Sequence, residues 1–425
     1  MRFSYLSPFL FKLIFSRTAR HTYLVFMGNG VAMLFAFLFT ITSIRLLTLS
    51  DFGYFSAVFT FLVLISDLAD IGIGSSLSRF LPHLEGHRQK LLSFLKTAFF
   101  LQLGVAISLT IGIFSSASFL SELFFHTAEF APLFKITALG IGASILANFF
   151  QYTLSALQKF LQASLVAGMG GILRLLFLLV LIPFSLVNLT SVVWTQVIAY
   201  ISLAIIALFF VGTHFFHEKR NKEDVKNLLH FAFYLGVARS LTAVSSRLDV
   251  LMLIAFTNSV ETGIYATAAR VVSLYPLLAG SFTTVVAPKF ATLSKGNELK
   301  TFMIKVIGAT LGLISSILVL ILIAHPFMTI LFGEKTAPAV PVFQLLLVAM
   351  IFFVAGTPAV VLALYYLKKP HILTINGILQ LIIVIAGNFI FIPIFGKFGP
   401  AYSLILAYGI TFFLTTFMSV GYLRK

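Results

Sequence analysis

Three arginines, Arg174, Arg239 and Arg247, stand in stretches otherwise made of aliphatic, aromatic and small residues. A guanidinium stays protonated at any physiological pH and presents paired donors that match phosphate or carboxylate oxygens, so such residues would hold an anion. Arg174 falls in the apolar run GILRLLFLLVLIP. Arg239 and Arg247 lie in ARSLTAVSSR, a small and hydroxylated stretch that suits the wall of a water-lined cavity. Their spacing of eight residues places them roughly 80° apart around a helix, so both can face one space.

Acidic residues share these apolar surroundings. Asp67 and Asp70 occur in LISDLADIGIGSS, and Asp249 follows Arg247 by two positions. A charge near the centre of a bilayer costs about 2.5–3.5 kcal/mol, so each requires a partner or a polar space. Asp67 and Arg174 lie at matching depths, roughly 17–18 Å above the inner ends of their helices. They could pair, or they could serve ion coupling. With a hairpin apex at 259–260, Asp249 and Arg270 are level on antiparallel helices, and a structural ion pair is expected. Arg45, Lys96 and Lys135 lie close to helix ends and are expected to snorkel to the headgroups. Arg79 and Lys289 are expected at the cytoplasmic mouth.

The elements that must position these groups follow from composition. Hydrophobic residues make up 60% of the 425 and charged residues 10%, whereas a soluble domain carries about 25% charged residues. With so few charges the chain must be solvated by lipid. The formal charge of +16 therefore reflects membrane topology rather than a nucleic-acid partner. Absence of cysteine removes disulfides, cysteine nucleophiles and cysteine-based metal sites, and no metal site is expected. Runs long enough to cross the hydrocarbon core fall near 23–49, 52–78, 91–115, 132–157, 162–184 and 191–211, then near 228–256, 263–288, 302–325, 341–367, 372–392 and 401–422. Residues 1–22 form an interfacial N-terminal segment rather than a removed signal peptide. With both termini in the cytoplasm, only Lys335 and Lys397 of the 29 basic residues fall in outside loops, as the positive-inside rule requires.

Sliding the second half onto the first by 210 residues aligns Asp51 with Glu261, Gly53 with Gly263, Arg79-Phe80 with Lys289-Phe290, Lys159 with Lys369 and Pro183 with Pro393. The predicted spans superimpose as well. Six helices per copy keep both copies in one orientation, giving a parallel repeat: an all-α protein of twelve spans in two six-helix bundles, 23–211 and 228–422. The charged stretch 212–227 is the cytoplasmic linker between them. The phrases SDFGYF and VETGIY mark the outer turn of the first hairpin in each bundle. Two bundles around a cleft suit alternating-access transport.

An enzyme is not expected. The predicted outside loop 116–131 offers Glu122, His126 and Glu129, which read as a solvated loop, and no HExxH, phosphate loop or nucleophile elbow is present.

The run IRLLTLSDFGYFSAVFTFLVLISDLADIGIGSSLSRFLP resembles the first hairpin of MOP-superfamily polysaccharide-unit flippases, the Wzx-type O-antigen transporters, through Arg45, Leu47, Asp51, Gly53, Asp70, Gly72, Arg79 and Phe80. SSRLDVLMLIAFTNSVETGIYATAARV resembles that family's seventh helix and following turn, with Asp249, Gly263, Tyr265 and Ala268 in place. The resemblance implies a MATE-like pair of bundles with a cationic central cavity in the inner membrane. It implies export of a polyprenyl-diphosphate-linked oligosaccharide, such as an O-antigen or lipopolysaccharide repeat unit. Arg239, Arg247 and Arg174 are then the substrate-binding residues. Coupling to H+ or Na+ would fall to Asp67, Asp70 or Asp249; no other cofactor is implied. Polysaccharide polymerase machinery is a candidate partner, and the chain is expected to act as a monomer. A multidrug or lipid II exporter of the same superfamily remains the alternative, together with a twelve-helix secondary transporter of another fold. The loop SRFLPHLEGHRQK lacks the Asp-Arg pair of a major-facilitator protein.

Overall fold

The structure, a computed structural model, describes residues 17–218, 243–293 and 297–424 apart from Ile71 and Glu85, together with Gly236, Ser240 and Leu241. Every regular element among them is helical, because a backbone in hydrocarbon must satisfy its own hydrogen bonds. The first half runs α1 (Arg17–Leu46), α2 (Leu49–Ala69), α3 (Ile73–Phe80), α4 (Arg88–Ser115), α5 (Ala117–Phe125), α6 (Ala131–Ala156), α7 (Phe160–Leu181) and α8 (Leu189–Val211). The second runs α9 (Leu248–Phe256), α10 (Ser259–Val272), α11 (Leu274–Thr292), α12 (Asn297–Leu322), α13 (Ala324–Phe332), α14 (Val340–Val361), α15 (His371–Phe395) and α16 (Gly399–Arg424). Large apolar side chains point outward, as with Phe209 at 82% and Leu322 at 84% exposure, which only a lipid environment tolerates at this density.

Ten stretches among the described residues are long and apolar enough to cross a membrane. One of them, His371–Leu423, contains both α15 and α16, joined at Gly396. Of the predicted seventh span, 228–256, the described part is chiefly α9. The linker residues 219–227 lie outside the described residues.

Two predicted spans are broken rather than continuous. The span 52–78 stops at Ala69 and resumes at Ile73, with Gly72 in the left-handed region at φ 78°. Only glycine adopts that conformation without steric cost. The Asp70 carboxylate accepts from Gly74 N at 2.9 Å, and Gln102 Nε2 donates to the Ala69 carbonyl at 3.1 Å, so both exposed helix ends are satisfied. The span 263–288 begins earlier, at Ser259, and divides at Ser273, whose hydroxyl donates to the Arg270 carbonyl at 2.8 Å. Pro276 stands in the first turn of α11, where a missing N–H costs nothing. The connections after the third and ninth predicted spans carry short helices, α5 and α13, in place of solvated loop.

The chain forms two compact units. The first comprises Met1–Ser43, Phe61–Leu123 and Thr127–Ala243. At its centre α6 packs against α8 and α4, burying Phe134, Ile141, Ile145 and Phe149. Ser66 and Ser144 hydrogen-bond through their hydroxyls inside it. The second comprises Ile44–Thr60, Phe124–His126 and Val244–Lys425. Here α14 packs against α16 and α12, burying Phe343, Leu346, Leu347 and Met350.

Within the second unit the two repeated phrases meet. A methyl group at Gly53 would overlap the Ser259 carbonyl and lie 2.9 Å from Gly263 N. One at Gly263 would overlap the Leu49 carbonyl and lie 3.1 Å from Gly53 N. The glycines therefore let two helix starts approach backbone to backbone, and the Ser50 and Ser259 hydroxyls hydrogen-bond at 2.7 Å beside them. The repeated glycine is a packing requirement.

Candidate functional site

The α9–α10 hairpin builds a polar pair inside the second unit. Asn258 caps α10 by accepting from Glu261 N at 3.0 Å, and α9 ends at Phe256, so the apex is 257–258. About that apex the residue level with Asp249 is 266, which brings Tyr265 rather than Arg270 alongside it. The Tyr265 hydroxyl donates to Asp249 Oδ2 at 2.5 Å, and Val250 N donates to Oδ1 at 2.8 Å. Arg247, the N-cap residue of α9, supplies a favourable charge to the carboxylate. The Tyr265 side chain is fully buried. The Arg270 guanidinium lies 5.4 Å from the centroid of the Phe59 ring. The expected Asp249–Arg270 ion pair is thus replaced by a carboxylate–phenol pair. A short O–H···O contact of this kind can hold a carboxylate in position and release it on protonation.

The other predicted residues lie on several helices. In the first unit Arg174 on α7 lies 4.7 Å from the Tyr200 ring centroid, a cation–π geometry on an adjacent helix of the same unit. Asp67 is half-buried near the end of α2. Asp70 acts as a helix cap at the break described above, which gives it a structural task. Arg79, exposed at the end of α3, lies 5.7 Å from the Phe80 ring. In the second unit Lys289 pairs with Glu298 at 3.2 Å. Arg239 lies outside the described residues.

Of the three cations expected to snorkel, Arg45 and Lys96 bind helix ends. Arg45 donates from Nε to the Leu331 carbonyl at 2.8 Å and from Nη2 to the Ile330 carbonyl at 2.5 Å, closing the last turn of α13. Lys335, just beyond α13, donates to the Arg45 and Leu47 carbonyls at 2.8 and 2.5 Å, closing the end of α1. Lys96 reaches the Phe216 and Glu218 carbonyls at 2.7 and 2.6 Å. Lys135 lies 5.5 Å from the Phe114 ring.

Tyr265 stands in the second repeated phrase, VETGIY, where nothing but its place in the hairpin marks it as the partner of Asp249. The hairpin register was the signal that could have found it.

Residues 18–294, well over half of the chain, match the family model described as polysaccharide biosynthesis protein. The lipopolysaccharide biosynthesis protein WzxC of Escherichia coli (strain K12) is 23% identical over 333 residues, which span 74% of this chain. The match covers 63% of that relative's own length, less than two thirds. Among solved structures, the inward-facing form of a multidrug resistance MATE family transporter of the MOP superfamily superposes with a TM-score of 0.76 at 14% identity, over 92% of this chain and 94% of that one. The lipid II flippase MurJ in its inward closed conformation gives 0.73 at 16% identity, over 92% and 87%. At such identities the likeness is one of fold.

Proposed function

The chain belongs to the polysaccharide biosynthesis protein family, a multi-pass membrane protein with the fold of MOP-superfamily transporters, and from that premise we propose that it is a flippase for a lipid-linked oligosaccharide. The observation that carries this reading is the family match over residues 18–294, made on a chain whose helices superpose on transporters rather than on enzymes. The passenger is a polyprenyl-diphosphate-linked repeat unit, carried from the inner to the outer leaflet of the cytoplasmic membrane. Twelve spans in two six-helix bundles, 23–211 and 228–422, would alternate access to it. The like packing of α6 with α8 and of α14 with α16, pairs related by the 210-residue shift, supports that arrangement. Both termini and the linker 212–227 would be cytoplasmic.

In this reading the arginines meet the diphosphate. Arg247 and Arg239 on the seventh span and Arg174 on the fifth supply fixed positive charge and bidentate donors. Asp249 with Tyr265 is the group placed to couple transport to an ion. Its carboxylate has a protein donor on each oxygen and can exchange the phenol for a proton or a cation.

The test is delivery of lipid-linked oligosaccharide to the outer leaflet in cells lacking their own flippase. Arg247→Ala and Arg239→Ala should each lower delivery by about 10- to 150-fold, the equivalent of one charge-assisted hydrogen bond. Arg→Lys should fall less, because charge remains while the fork is lost. Wild-type delivery by all the alanine variants at normal abundance would end the anionic-passenger reading. Drug extrusion by the intact chain without oligosaccharide delivery would favour the multidrug alternative.

A further inference from the structure

Inside the second unit, α11, α14, α15 and α16 surround a cavity of about 340 Å³. That volume sits at the small end of ligand sites, which run about 300–1,000 Å³. Among the described residues no Asp, Glu, Lys, Arg or His lines it, and its polar lining is uncharged. Phe352 and Phe353 on α14 and Phe412 on α16 give it aromatic walls. Tyr408 joins them, its ring centroid 5.1 Å from that of Phe353.

Uncharged polar groups face the same space from all four helices. Asn376 on α15 donates from Nδ2 to Thr415, which leaves its buried Oδ1 without a partner. Among the described residues nothing hydrogen-bonds the Gln380 amide or the Tyr408 hydroxyl. Unpaired polar groups in a hydrocarbon environment are costly, and a pocket for an acyl tail would have no use for them.

Glycines add an independent observation. Gly280 and Gly377 line the cavity from α11 and α15, and a methyl group at either would meet nothing within 4 Å. At Gly356 on α14 the nearest atoms are those of Phe412, at 3.9 Å and beyond. Glycine inside a helix costs about 1 kcal/mol relative to alanine. At these three positions the bare backbone leaves room in the cavity that a larger side chain would fill, although open glycines such as Gly308 occur elsewhere in the chain too.

We propose that this cavity binds one neutral sugar ring of the passenger. A pyranose carries hydroxyls that donate and accept, which the amides and the phenol can match. Its C–H faces pack flat on aromatic rings and on bare backbone at glycine. The inference rests on the flippase reading and adds to it a division of labour: arginines hold the diphosphate, and the cavity among α11, α14, α15 and α16 holds a sugar.

The experiment uses the full chain in cells without their own flippase, with those cells' lipid-linked oligosaccharide as probe and membrane abundance measured in parallel. Gln380→Leu keeps the size and removes the amide, so delivery should fall about three- to tenfold at normal abundance, the effect of one neutral hydrogen bond. Asn376→Leu should act similarly. Gly377→Leu fills the space and should fall further. If Gly377→Leu blocks delivery while both amide variants deliver as wild type, the occupant is an apolar tail and the sugar site is overturned. Wild-type delivery by Gly377→Leu also overturns it. If Gly377→Leu fails to accumulate, the amide variants decide alone. An intact chain that delivers nothing would instead overturn the flippase reading, and the sugar site with it.

Discussion

The two halves of the sequence differ at positions 210 residues apart. Asp249 and Tyr265 form a polar pair in the second half, while the positions 210 residues earlier hold Phe39 and Phe55, buried to 4% and 3% exposure. Apolar side chains fill those positions, whereas a carboxylate and a phenol meet in the second half. The two glycine tips diverge less. Gly53 and Gly263 play one role, each admitting the other's backbone. The acids beside them have parted: Asp51 turns back on its own helix start, accepting from Thr48 Oγ1 at 2.7 Å, whereas Glu261 reaches the Gly396 turn and accepts from Lys397 N at 2.9 Å. Both phrases supply the glycine contact, and the second half supplies the carboxylate–phenol pair.

The largest effect should come from the shared feature. Gly53→Val or Gly263→Val drives a side chain into a carbonyl that cannot move aside, and either should cost about 3 kcal/mol or more, enough to deplete the protein from membranes. Gly308→Ala, where a methyl group meets nothing within 4 Å, should leave abundance unchanged or raise it. Loss confined to one of the two tips would break the equivalence.

The divergent pair should respond in the opposite manner. Asp249→Asn disturbs the Tyr265 contact and should lower stability by about 1–3 kcal/mol, read as a drop in the Tm of the purified protein. Asp249→Leu combined with Tyr265→Phe imitates the first half and should recover most of that loss, since apolar replacement of a buried polar pair is often neutral. Delivery of oligosaccharide should stay abolished in the double variant. A double variant that remains unstable would make the pair structural.

The smallest effects belong to the acids at the tips. Asp51→Ala removes one helix-start contact and should cost about 0.5–2 kcal/mol in thermal denaturation. Glu261→Ala leaves the Lys397 N–H without its acceptor and should cost somewhat more. Equal values would mean that the two acids differ in partner but not in consequence.

Most of the helices were legible because lipid leaves the backbone no alternative, and apolar length alone marks them. The glycine tips were legible as a repeat, though their reason, contact between the copies, needed coordinates. The break at Gly72 had a signal in DIGIG that continuous hydropathy overrode. Helices α5 and α13 were missed because nine residues, some of them polar, fall far short of a span. The partner of Asp249 was misread because an apex placed two residues late moves the level position by four, from 266 to 270. Attention to formal charge also passed over Asn376 and Gln380, one helical turn apart in LTINGILQL. Uncharged amides barely register in an apolar run.

The end-capping cations change what the formal charge of +16 means. Arg45, Lys96, Lys159 and Lys335 each donate to carbonyls at or just past the end of a helix or helical turn; Lys159 reaches Phe210 at 3.1 Å. A full helix end carries roughly half a negative charge. Much of the field of these four residues is therefore closed locally, and an approaching anionic lipid would sense a less positive surface than titration counts suggest.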